Sequence, residues 1–83
     1  MAVLDFLELA DVIYTTVIIY VNDFDGVDGK LVEVWSSDRY TRDMLRNIPK
    51  QLLDETVDGF DLTEDNNFII YTNGYAEDYI DYI

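Results

Sequence analysis

Carboxylates are the only chemically assertive side chains present in quantity: eighteen Asp and Glu stand against five Lys and Arg, with no His and no Cys. That inventory restricts chemistry more than it suggests any. The common nucleophile–base pairs need an imidazole or a thiolate. Ser36 and Ser37 sit in no nucleophile motif, and the chain has neither a Walker-type phosphate loop nor a dinucleotide-binding glycine turn. Paired acids can hydrolyse glycosides, but 83 residues leave little room for a sugar cleft. The expectation is a protein that is not an enzyme and carries no cofactor.

Acids can also hold cations. Asp23-x-Asp25-Gly26-x-Asp28-Gly29 has the outline of a calcium loop. Counted from Asp23, however, the place of the invariant Gly holds Asp28, and the twelfth position holds Val34 instead of the bidentate Glu. Asp61-x-Thr63-x-Asp65 departs from the pattern in a similar way. Both stretches read as solvated turns, in which Asp and Gly are ordinary residues. No metal site is expected.

What remains is charge as a recognition element. The formal charge is -13, and it is segregated. Residues 1–29 carry six acids and no base, and residues 51–83 carry nine acids and no base. All five bases (Lys30, Arg39, Arg42, Arg46 and Lys50) lie between, beside only Glu33, Asp38 and Asp43. Such a chain repels nucleic acid and anionic lipid and is drawn to basic surfaces. One reading is a solvated coat that keeps a small apolar protein in solution. The sharper reading is phosphate mimicry, since solubility alone does not require segregation. Its candidate protein-binding residues are Asp23, Asp25 and Asp28 on one loop, and Asp61, Glu64 and Asp65 on another. Glu77, Asp78 and Asp81, with Tyr75 and Tyr79, supply a third group on the tail. Tyr beside acids suits an interface, because it gives contact area at low entropy cost, although a Tyr stripe more often marks a helix packed on a sheet. The Arg39, Arg42 and Arg46 row reads as an internal counterweight to the acids.

Almost half the chain is apolar, with seven Tyr and four Phe, so it should fold in spite of its charge. The length supports one domain over residues 1–83. Ala2–Ala10 places Val3, Phe6, Leu7 and Ala10 on one helical face. Thr15–Val21 is β-branched and aromatic, which suits a central strand. Asn22–Gly29 is a turn, and Lys30–Ser36 returns as a hairpin partner with Val32 and Val34 on one face and Leu31, Glu33 and Trp35 on the other. Arg39–Asn47 has helical spacing through Tyr40 and Met44, with Asp38 as N-cap. Pro49 ends it and starts a further turn through Leu52 and Leu53. Val57–Thr63 alternates with a slip at Gly59 that predicts a bulge. Glu64–Asn67 turns into a strand over Phe68–Thr72, which Asn73-Gly74 ends. Tyr75, Tyr79 and Tyr82 then recur at helical spacing. The expected fold is α+β: a small, mainly antiparallel four-stranded sheet with short helices packed on one face, in the order α-β-β-α-β-β-α. The nearly apolar run Val12–Val21 is too short to span a bilayer, no basic leader region opens the chain, and the absence of Cys suits a reducing interior. The protein is therefore expected in the cytoplasm and off the membrane.

Four segments together carry a resemblance: Val3-Leu4-Asp5-Phe6-Leu7-Glu8-Leu9, the Thr16–Tyr20 strand, Ile48-Pro49-x-x-Leu52-Leu53-Asp54-x-x-Val57, and Asn67-x-Ile69-Ile70. In these the chain resembles small proteins encoded by phages and mobile elements of Gram-positive bacteria, over most of its length up to about Tyr71. The resemblance implies a genomic setting that also holds anti-CRISPR and anti-restriction proteins, which are often short, acidic and without enzymatic activity. It transfers no binding residue. With the charge pattern, it points to an inhibitor that occupies the basic groove of a nucleic-acid-binding host defence protein, a CRISPR effector in particular, within the host cytoplasm. The alternative is a structural or assembly domain that forms a homodimer through an edge strand or the Tyr-rich C-terminal helix.

Overall fold

The computed structural model describes residues 1–10, 16–23 and 30–82. Helix α1 (Val3–Ala10) is followed by strands β1 (Thr16–Asn22) and β2 (Leu31–Ser37) and by a 3₁₀ helix over Arg42–Asn47. Then come helix α2 (Lys50–Leu53), strands β3 (Val57–Leu62) and β4 (Asn67–Tyr75), and a closing 3₁₀ segment over Ala76–Tyr82 that is kinked at Tyr79 (φ -125°, ψ 26°). The class is α+β, as the sequence predicts. No described helix is long and apolar enough to cross a membrane.

The β-branched run does take the centre of the sheet. Strand order is β2-β1-β4-β3, with both hairpin pairs antiparallel. The two central strands, β1 and β4, run parallel, with Ile19 opposite Ile70 and Val17 opposite Phe68. The sheet is thus mostly antiparallel but mixed at its middle. Along β1 every second residue (Val17, Ile19, Val21) is buried, and β4 answers with Phe68, Ile70 and Thr72. Val3 and Leu7 of α1, Leu52 of α2, Tyr40, Ile48, Ala76 and Tyr79 join this single core. The helices therefore lie on one face, and Ile18, Tyr20, Ile69 and Tyr71 of the central strands point to the other, where the Tyr20 and Tyr71 rings stack at 5.9 Å.

Four sequence expectations change. On β2, Ile19 pairs with Trp35 but Tyr20 pairs with Glu33, so Val34 is an extra residue in a bulge. The bulge shifts the alternation and brings Trp35 to the core face, where its ring meets Tyr40 edge-on at 6.3 Å. The helix expected over Arg39–Asn47 starts only at Arg42 and is 3₁₀. Tyr40 is fully buried ahead of it, and the Asp38 carbonyl accepts from the Thr16 hydroxyl at 2.8 Å, so this stretch is anchored to the sheet and cannot join the helix. Asp38 is no cap; the N-cap position falls at Thr41 without a side-chain bond. Finally, β4 does not stop at Asn73-Gly74 but runs on to Tyr75. The predicted bulge near Gly59 is present, as a register shift between Val57 and Gly59.

Candidate functional site

The acidic surface is positioned by the ends of β4. The turn between β3 and β4 is closed by the Asn66 N–H donating to the Thr63 carbonyl at 3.0 Å, with Asn66 at a φ of 63° that Asn tolerates better than most residues. Glu64 and Asp65 stand exposed on that turn, and Asp61 lies just before it on β3. Asp61 also accepts the Tyr71 hydroxyl at 3.1 Å. Burial first, and then that carboxylate, raise the Tyr71 pKa above its usual value.

The second group sits at the far end. Tyr75 ends β4, and Glu77, Asp78 and Asp81 are exposed on the closing 3₁₀ helix. Because β1 runs parallel to β4, Asp23 emerges from β1 at this same end, with Asn22 opposite Tyr75. Its backbone N–H donates to the Lys30 carbonyl at 3.1 Å. The length of β4 separates the two groups by roughly 25 Å at the usual strand rise. Asp25 and Asp28 lie outside the described residues.

Tyr79 is corrected from a contact residue to a core residue. It is 1% exposed, and its hydroxyl donates to Glu55 Oε1 at 2.8 Å. The Tyr75–Tyr79–Tyr82 stripe needs a continuous α-helix, whereas this segment is 3₁₀ and kinked at Tyr79 itself (φ -125°, ψ 26°), and Ala76 and Tyr79 are the residues of it that are buried. Tyr75 and Tyr82 remain about half exposed. Glu55, which sequence reasoning missed, reaches Tyr79 past Gly74. A Cβ on Gly74 would sit 3.0 Å from the Glu55 carboxyl, so any side chain there would push that carboxyl aside by a few tenths of an ångström. A Gly inside a strand hints at such an approach, but not at its partner.

Burial, then Glu55, then the charges of Asp78 and Asp54 push the Tyr79 pKa far up. The unfolded chain therefore gives up that proton first. The stabilisation is complete below the ordinary tyrosine value of 10.0 and is lost as pH rises beyond it. Tyr79→Phe is expected to cost about 1.5 kcal/mol near neutrality. Its stability should then fall less steeply than wild type as pH rises above about 10, with parallel profiles below that, measured by urea melts. Profiles that stay parallel above that pH would contradict the bond's role.

Among the described residues, no group of three or more His, Cys, Asp or Glu side chains is placed to hold a metal ion. The geometry instead offers two clusters of exposed carboxylates at opposite ends of one sheet. Comparison with family models, curated proteins and solved structures finds no match.

Proposed function

We propose that this chain is a non-enzymatic inhibitor that occupies the basic nucleic-acid groove of a defence protein, with a CRISPR effector of a Gram-positive host as the specific target. Linear charge density carries the reading. A net charge of -13 over a longest dimension of 35 Å is about one charge per 2.7 Å. Duplex DNA carries one per about 1.7 Å of axis and a single strand one per about 3.4 Å. The protein falls between the two, and its exposed acids reach both ends of the sheet. Carboxylates placed this way pair with Arg and Lys that otherwise hold phosphate, and exposed Tyr75, Ile80 and Tyr82 add apolar contact. Self-association is the weaker reading, because a second copy brings the same excess of negative charge to any shared surface.

Competition tests this directly. A guide-loaded CRISPR effector and a labelled target duplex are titrated with the protein in a gel-shift assay. DNA and protein should exclude each other, and the apparent affinity of the protein should fall as salt rises. A ternary complex with DNA still bound at its normal affinity would refute mimicry. No binding to any effector would refute that target and turn the search to other basic proteins captured from nuclease-treated host lysate.

A further inference from the structure

The outer edge of β3 combines backbone and side-chain features that the charge argument does not use. The Val57 N–H donates outward to the Met1 carbonyl at 2.8 Å, and Ala2 bridges Thr56, so residues 1–2 cover the start of this edge. Beyond that point the edge is open. The Thr63 N–H donates to the Asn67 carbonyl at 3.0 Å and so faces β4. By the two-residue alternation of an antiparallel pair, Asp61 and Gly59 also direct their backbone groups to β4, whereas Phe60 and Leu62 direct theirs outward. Among the described residues nothing pairs with them.

The side chains at these positions are sorted as well. Phe60 and Leu62 lie opposite Ile70 and Phe68, on the core face, yet are 56% and 54% exposed. Phe6 of α1 reaches Phe60, with ring centroids 5.2 Å apart, but leaves its outer side open. The opposite face of the same edge carries Gly59, which has no side chain, and Asp61, with Glu64 and Asp65 just beyond. A strand laid along this edge would meet apolar surface on one face and carboxylate on the other.

We infer that the β3 edge accepts an extended segment of a basic partner, in which apolar residues alternate with Lys or Arg. Main-chain pairing with Phe60 and Leu62 supplies registry, and the alternate side chains meet Phe60 and Leu62 on one face and Asp61 on the other. Charge selects this occupant over a second copy. A copy's β3 paired antiparallel through Phe60 and Leu62 would set Asp61 against its own equivalent and Asp58 against Glu64, and like charges across a pair repel. The inference rests on the proposed function only in taking the partner to be basic.

The probe is a short synthetic peptide alternating Val and Lys, titrated into isotope-labelled protein with amide shifts as readout. Shifts should centre on Gly59–Leu62. Two isomers, N-methylated on one or the other edge of the peptide, should differ in affinity by about tenfold or more, since only one of them blocks pairing. Leu62→Lys should weaken binding of the unmethylated peptide by a similar factor, and a Val–Glu peptide should not bind. Several outcomes would overturn the inference. These are no binding, shifts centred elsewhere, equal affinity of the two isomers, binding of the Val–Glu peptide, or concentration-dependent shifts at Phe60 and Leu62 without peptide, which would mean that a second copy fills the edge. Failure here with competition against DNA intact removes the β3 edge and leaves the inhibitor reading standing. The reverse pattern does the opposite.

Discussion

Ile19→Asp is expected to leave the chain without a cooperative unfolding transition. Ile19 is fully buried on a central strand, opposite Ile70 on one side and Trp35 on the other. Removing a buried Ile side chain alone costs about 2–5 kcal/mol. An unpaired carboxylate in its place adds a desolvation penalty that packing cannot relieve. A domain of this size holds only about 5–15 kcal/mol in total. Ile18→Asp is the control, because its side chain points to the face opposite the helices and is only partly buried. It should keep the wild-type circular dichroism spectrum and a melting transition. An Ile19→Asp protein that melts like wild type would overturn the placement of β1.

Charge reversal at the β3–β4 hairpin should have the largest effect on binding. Changing Asp61, Glu64 and Asp65 to Lys adds two charges at each of three sites and takes the formal charge from -13 to -7. The fold should survive, since all three residues are exposed and the side-chain hydrogen bond lost among the described residues is that of Tyr71 to Asp61. Individual exposed ion pairs contribute about 0–1 kcal/mol each, so the expected change is concentrated in encounter. Association with a basic partner should slow by about 10–1000-fold at low salt and lose most of its salt dependence. The same change at Glu77, Asp78 and Asp81 gives an identical net charge at the other end of the sheet. It should slow association less, because those residues lie roughly 25 Å from the β3 edge region by strand length. Stopped-flow association at two salt concentrations reads both effects. If neither triple variant changes the rate, the acids are a soluble coat only.

Much of this architecture is legible in the residues, and the exceptions have physical reasons. β-branched content places β1 at the centre, and the alternation along β3 marks its bulge at Gly59. Alternation tells which residues share a face, but not which strand lies beside which, so the parallel β1–β4 pair is invisible to it. The β2 bulge at Val34 is hidden for a related reason: Leu31–Trp35 alternates cleanly as a sequence, and only the partner strand reveals the extra residue. Tyr79 escapes the α-helical period because the tail is 3₁₀ and kinked at that residue, which the spacing of the Tyr residues does not reveal. Segregation of the acids is plain from the sequence. Their division between two ends of the sheet follows from strand direction, which composition does not encode.

The parallel pairing of β1 with β4 also governs when the sheet can form. Thr72 donates its hydroxyl to the Tyr20 carbonyl across 52 positions of chain, and the residues between them include β2, α2 and β3. The hairpins β1–β2 and β3–β4 are local and can close on their own, but the centre must await the last third of the chain. Long-range pairing of this kind slows folding, because the entropy of closing the loop is lost before contacts reward it. On a ribosome, β1 and β2 would emerge with Val17, Ile19 and Val21 uncovered until β4 is made. Docking of the two hairpins is then expected to be the slow step of folding.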